Sequence, residues 1–500
     1  MEQIDLQIDA MVKMLGTSVR CNSLYERLSE SQSASDRMDA YMDFLSRVGR
    51  SVFRWYDGNI VVGGQKGQEM LDGLLYHDGE VWCPVDRVVF MTALKRFCRE
   101  RLKMHAQEWF RGEKWYVRAV SDGAKLSKLF EDGSGVIPGR SVVGFKNGVY
   151  DFTDLDNIVY HPFSDKLPVM SLLDYEYRKN DDCPLWRAFL DSVLSKSQQL
   201  LLQKYFGLGM CDRRLLGRKI EQSLWLVGPG GAGKSTIMNV VSYVYGQENI
   251  SGTSLGSLIS GSSESRARFV LLTAGKIFNY CGEVQMDDMT RYADAFKSLC
   301  SGEPQPVRRL GYNVEMRNDI PYLIFNMNRK PRSRNIDGAL MRRLLFVTFR
   351  SAIREEDRDP MLEEKLKAEA SGIRNWMIQG FKMLRDDGFK LEQTDIGKYE
   401  TESWLIENGQ TVGLFMRKCG CRECSQTGVG DKPELIPVVN IFDCYSAWCT
   451  KWGYEPECGD VSGMGRVLRS LGYQSHRLAA GMAYKIYGNY DKLISANNFR

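Results

Sequence analysis

The hydrophobic pattern changes period several times along the chain. Residues 1–58 mix helix formers with a polar break, Ser29-Glu30-Ser31-Gln32-Ser33-Ala34-Ser35, which predicts two short helices around an exposed linker. Short β-like runs, Asn59-Ile60-Val61-Val62 and Glu80-Val81-Trp82-Cys83, then precede a helical run over 88–102, so 59–140 reads as a small α+β domain. The stretch 141–218 opens on a turn, Lys146-Asn147-Gly148-Val149-Tyr150-Asp151, and continues into helices over 185–194 and 198–206, the pattern of a helical collar. Between 219 and 388, apolar strand-like runs alternate with helical ones and predict an α/β domain. In the remainder, 389–500, Ile441, Tyr445, Trp448 and Trp452 share one helical face over 440–452. A second short helix covers 464–471, and 479–487 suits a two-stranded wing.

Composition narrows the class without naming it. A chain of 500 residues with 43% hydrophobic and 26% charged content fits several packed domains, not a disordered or fibrous protein. No window approaches the roughly 18 apolar residues of a membrane span, and the start, Met1-Glu2-Gln3-Ile4-Asp5, is acidic, so a cytoplasmic protein without membrane contact is expected. Lys+Arg 67 against Asp+Glu 63 gives +4, so any DNA contact has to come from local clusters. The 13 Cys are scattered singly and read as reduced thiols, and 4 His leave little room for His-based catalysis.

The candidate chemistry begins where the apolar run Ser223-Leu224-Trp225-Leu226-Val227 feeds into Gly228-Pro229-Gly230-Gly231-Ala232-Gly233-Lys234-Ser235 and a helix over 236–245 begins with Thr236. This is the strand, Gly-rich loop and helix of a phosphate-binding P-loop, for ATP with Mg²⁺. Backbone N–H groups of 228–236 would curl around the phosphates, Lys234 would neutralise the β/γ oxygens, and the Ser235 hydroxyl would ligate Mg²⁺. A second apolar run, Lys276-Ile277-Phe278-Asn279-Tyr280-Cys281, ends at Gly282-Glu283, and Glu283 is the candidate to orient the attacking water and to assist Mg²⁺ through a water. A third, Pro321-Tyr322-Leu323-Ile324-Phe325-Asn326, leads to Asn328, whose amide can sense a γ-phosphate. Arg342 and Arg343 precede a fourth run over 344–348, and either could serve as an arginine finger.

These pieces, in this order, resemble the superfamily 3 helicases of the AAA+ class, and most closely the phage, plasmid and poxvirus primase-helicase type. The likeness covers 144–349. Phe145-Lys146-Asn147-Gly148-Val149-Tyr150-Asp151 and Asp182-Cys183-Pro184-Leu185-Trp186 resemble the collar of that family. Lys297-Ser298-Leu299-Cys300-Ser301-Gly302-Glu303-Pro304 with Arg308 resembles its signature between the second and third motifs, Asn328-Arg329-Lys330-Pro331 its third motif, and Met341-Arg342-Arg343-Leu344 its finger region. Asn279, Cys281 and Gly282 depart from the family pattern around Glu283.

The resemblance implies an α/β fold with an AAA+ P-loop ATPase core, an N-terminal α+β and collar region and a C-terminal winged-helix-like domain. It implies a homo-hexameric ring that moves 3′ to 5′ on single-stranded or forked DNA, with a primase, a polymerase or an origin-binding protein as further partners. A pore hairpin is expected at Pro306-Val307-Arg308-Arg309-Leu310-Gly311-Tyr312-Asn313-Val314-Glu315-Met316-Arg317, where Arg308, Arg309 and Arg317 would track phosphates and Tyr312 would stack on a base. Arg469, His476, Arg477 and Lys485 would face duplex DNA from the winged end. Cys419, Cys421 and Cys424 raise a zinc site or, alternatively, plain thiols. Two other functions fit: a bifunctional primase-helicase, although no carboxylate and His constellation for nucleotidyl transfer is visible before 140, and a DNA-binding initiator that uses ATP only as an assembly switch.

Overall fold

The computed structural model describes residues 141–488 apart from 165–166, 168, 170, 285–287, 309–312, 334–335, 350, 423–432 and 480; before 141 it describes 8–9, 11–12, 53–55, 70–77, 80–86, 89, 92–93 and 96. In this early part, β1 (Phe53–Trp55), β2 (Met70–His77) and β3 (Trp82–Asp86) form an antiparallel sheet. The strand expected at 59–62 lies outside the described residues, as do most of the two helices expected in 1–58. Trp82 is fully buried and its N–H donates to the Val169 carbonyl at 2.7 Å, which fastens this sheet to the next one.

The segment expected to be a helical collar begins instead with four strands, β4 (Val142–Phe145), β5 (Gly148–Asp151), β6 (Val159–His161) and β7 (Leu172–Leu173), in the order β6-β5-β4-β7. The Lys146-Asn147-Gly148 turn explains itself locally. Asn147 Nδ2 donates to the Tyr177 carbonyl at 2.9 Å and Asn147 Oδ1 accepts from Tyr177 N at 3.1 Å, while Gly148 holds a φ of +133° with the Tyr160 ring against it. Helices α1 (Pro184–Val193) and α2 (Lys196–Gly207) come next. Glu369 caps α1, accepting from Leu185 N at 3.0 Å and Trp186 N at 2.9 Å.

The centre of the molecule is an all-parallel sheet of β8 (Ser223–Val227), β9 (Ile250–Ser251), β10 (Phe278–Cys281), β13 (Tyr322–Met327) and β14 (Leu344–Thr348); between β10 and β13 the chain makes an antiparallel hairpin, β11 (Gln305–Val307) and β12 (Glu315–Arg317). Strand order is β14-β8-β13-β10-β9. The strands read as unbroken apolar runs because both faces are covered. Leu224, Leu226, Ile324, Leu345 and Val347 face one core, closed by α2, by α3 (Lys234–Tyr245) and by the long helix 370–386. Trp225, Val227, Phe325 and Phe346 face the other, where the Trp225 ring meets Phe325 at 5.5 Å and Trp404 at 6.2 Å.

Two of the expected boundaries move. The first core runs continuously from Phe145 to Leu391, so the stretches 141–218 and 219–388 are one packed unit. Its close seam is glycine-lined: a Cβ at Gly207 or Gly380 would strike the backbone of the facing helix. The helix 395–407 also belongs to the sheet, through Trp404, which places the last boundary beyond 389. The chain beyond this helix has its own core around Phe415, Tyr445 and Trp448. Its helices 411–418, 438–452 and 461–470 are succeeded by a hairpin, 475–478 with 481–488, whose second strand also pairs with 434–437. The hairpin begins four residues before the expected wing.

Candidate functional site

The C-terminal ends of β8, β13 and β10 lie side by side, and each carries a loop residue into one cleft. Val227 pairs with Met327, and Phe325 with Cys281, so the loop after Val227, Asn328 and Glu283 emerge at the same edge. Cross-strand bonds fix this edge: Gly228 N donates to the Met327 carbonyl at 3.3 Å and Val284 N to the Asn326 carbonyl at 3.1 Å. The loop itself needs its glycines. Gly231 adopts a φ of +73° and Gly233, the cap residue of α3, a φ of +90°, conformations that other residues hold only with strain.

The cleft has a volume of about 1680 Å³ and is lined by 230–236, by α1 and by residues of the segment 351–360. That is ample for a nucleoside triphosphate. Lys234 is 5% exposed, and its ammonium donates to the carbonyls of Gly228 (2.6 Å) and Pro229 (2.7 Å) and to Asn328 Oδ1 (3.3 Å). Burial pulls its pKa below the ordinary lysine value, the direction expected of a desolvated cation with no carboxylate beside it. Three neutral acceptors hold a charge that an anionic ligand would match better.

Beyond Lys234, the Ser235 hydroxyl adjoins that of Tyr280, whose pKa burial raises while hydrogen bonds from Asn326 and Ser235 oppose the rise. Asn326 Nδ2 donates to Tyr280 at 3.3 Å, and the buried Asn326 Oδ1 has no hydrogen-bond partner among the described residues. Such a set of oxygens, with exposed Glu283 nearby, suits a hard cation such as Mg²⁺. Sequence reasoning missed Tyr280 and Asn326, whose polar character shows only once strand pairing puts them beside Ser235. Asn279, by contrast, is structural: it accepts from Thr253 N and donates to the Thr253 carbonyl, both at 2.9 Å, tying β10 to the chain after β9.

Arg342 and Arg343 lie away from this cleft and differ sharply from each other. Arg343 is 6% exposed, and its guanidinium donates to Ser301 Oγ (2.7 Å), Glu221 Oε1 (3.1 Å) and the Ala339 carbonyl (2.8 Å). Arg342 is exposed, and among the described residues its guanidinium contacts Glu221 Oε2 at 3.3 Å. Lys330, in the third-motif segment, is also internal, paired with Glu400 at 2.9 Å, and the Trp404 indole donates to the Pro331 carbonyl at 2.7 Å.

Two antiparallel strands, β11 and β12, stand where the hairpin is expected, and Arg309 and Tyr312 lie outside the described residues. Arg308 pairs with Glu264 at 3.4 Å. Arg317 makes a two-pronged contact with Asp319, through Nε at 2.9 Å and through Nη2. Cys419 and Cys421 are buried in the core of the C-terminal part, and burial pushes the Cys421 thiol up to about 12, so both behave as apolar groups there. Cys424 lies outside the described residues, and no group of three metal-ligating side chains occurs among those described. No described helix is long and apolar enough to cross a membrane.

Comparison with known proteins gives two family matches. Residues 71–195 match a family described as D5 N terminal like, and residues 226–343 match a family of unknown function, DUF5906. The second match contains the loop 228–235, Glu283, Asn328, Arg342 and Arg343. Two solved apo structures of the NrS-1 C terminal region are 10% and 12% identical, each covering 69% of this chain and 95% and 96% of their own, both with a TM-score of 0.38. Residues 71–195 are thus similar to one family and residues 226–343, which carry most of the parallel sheet, to another.

Proposed function

We propose that this protein is an ATP-dependent DNA helicase of a phage or mobile-element replication system, of the superfamily 3 type, working as a homo-hexameric ring on single-stranded DNA. One observation carries the reading: three neighbouring parallel strands deliver the Gly228–Ser235 loop, Asn328 and Glu283 to one cleft around a desolvated Lys234. The amides of 230–233 and the Lys234 ammonium would hold the β- and γ-phosphates; the Ser235 hydroxyl would hold Mg²⁺, which supplies charge neutralisation when bound. Glu283 would orient the attacking water, and Asn328 would sense the γ-phosphate while relinquishing its contact with Lys234. Arg342, exposed where Arg343 is buried, is the finger offered to a neighbouring subunit.

A second reading, the ATP-switched DNA-binding initiator, is favoured by the hairpin, where Arg308 and Arg317 each face a carboxylate of their own chain. Strand separation on a forked duplex with Mg²⁺ and ATP discriminates. The helicase reading expects unwinding that Lys234→Ala abolishes; a purified ring that hydrolyses ATP without separating strands supports the switch.

A further inference from the structure

The segment 351–360, which succeeds β14, lies against the loop 228–235 and brings a second cation, besides Lys234, to it. Its attachment is a backbone bond, Ile353 N to the Gly231 carbonyl at 3.0 Å. From this strap the Arg358 guanidinium reaches back onto the loop apex: a Cβ placed on Gly231 would meet Arg358 Nη2 at 2.8 Å. A side chain at 231 would therefore displace Arg358 as well as strain the loop, so Gly231 serves both contacts.

The charges on the strap are matched unequally. Arg354 pairs with Glu356 (2.9 Å) and Asp357 (2.8 Å), and Asp359 pairs with Lys365 (2.6 Å). Both aspartates flanking Arg358 are thus engaged by other cations. Arg358 itself donates only from Nε to the Ile353 carbonyl at 3.2 Å, and no carboxylate pairs with it among the described residues. An exposed guanidinium with a neutral partner, lying against backbone amides that favour anions, leaves its two terminal nitrogens available for a bidentate contact with phosphate oxygens.

We infer that Arg358 is a binding residue for the terminal phosphates of the nucleotide, contributed within the same chain and distinct from the finger at Arg342. This rests on the reading of the cleft as a nucleotide site. The guanidinium would contact the β- and γ-phosphoryl oxygens from the side opposite Lys234, and the strap would close fully only over a di- or triphosphate.

Titration calorimetry of the full-length protein with ATP, ADP and AMP in Mg²⁺ tests the inference. Arg358→Ala should weaken ATP and ADP about tenfold each and leave AMP unchanged, Arg358→Lys should recover part of the loss, and Arg354→Ala, on the same strap but ion-paired, should bind all three as the wild type does. Unchanged ATP affinity in Arg358→Ala, equal weakening of AMP, or an equal loss in Arg354→Ala would each overturn it. A wild-type protein that binds no nucleotide would instead overturn the nucleotide reading itself.

Discussion

Charged side chains gather in two places around the parallel sheet, and they are matched in opposite ways. In the cleft at the C-terminal edge, Lys234 is held by neutral oxygens, Arg358 by one carbonyl, and Glu283 is exposed. At the flank formed by the β11–β12 hairpin and the 338–343 turn, Arg308, Arg317 and Arg343 each face a carboxylate of the same chain. The same residue types thus do different work. Where the fold supplies the counter-charge, an arginine holds elements together; where it withholds one, the side chain is left for a ligand. Arg342 and Arg343 share Glu221 and differ in how fully they are held: Arg343 is buried and also donates to Ser301 and Ala339, whereas Arg342 is exposed.

The contrast can be broken at that pair first. Arg342→Ala should reduce ATP turnover by about 10³-fold, as for loss of an arginine finger, while thermal denaturation stays where it was. Arg343→Ala should do the reverse in stability, costing about 1–3 kcal/mol in chemical denaturation because the buried Ser301 hydroxyl and the Ala339 carbonyl lose their donor. If both variants lose turnover equally and neither is destabilised, the division between matched and unmatched charges is wrong. Next in size, Glu283→Gln should slow steady-state hydrolysis about 10²-fold with ATP affinity nearly unchanged, as expected for a group that acts on the water and not on the phosphates; a lost affinity would make it a direct binding residue.

The smallest effect concerns the matched flank. Burial alone would raise the Asp319 carboxyl, but the Arg317 contact outweighs it and holds the group below its ordinary value of 3.8. An acid with a lowered folded-state pKa stabilises the fold above its unfolded pKa, and that contribution disappears as pH falls through the folded value. Urea unfolding compared at pH 5 and pH 3 should therefore show Asp319→Asn losing less stability than the wild type between the two. Identical losses would mean that Arg317 does not hold Asp319 in the folded state.

Much of the fold and of the cleft is legible in the sequence, for physical reasons that differ by region. The runs at 223–227, 321–326 and 344–348 stand out because strands buried on both faces are continuously apolar, and the loop 228–235 because four glycines stand together before Lys234. The short strands β4 to β7 are not legible, since half-exposed pieces of two to four residues carry little periodicity. The strand 475–478 is mostly exposed and reads as polar loop. The seam between α2 and the helix 370–386 depends on Gly207 and Gly380, residues that in a sequence count against helix. Arg358 sits within Arg354-Glu355-Glu356-Asp357-Arg358-Asp359, a charge run indistinguishable from solvated surface. Arg342 and Arg343 are separable only through Glu221 and Ser301, both distant in sequence.

Catalysis in the cleft around Lys234 is the central claim, and phosphate release from ATP in the presence of Mg²⁺, measured for the wild type and for Lys234→Ala at matched folding, tests it most directly. Steady turnover by the wild type and a loss of at least about 100-fold in the variant is the predicted result; equal rates in the two proteins, or no turnover in either with or without single-stranded DNA, would contradict it.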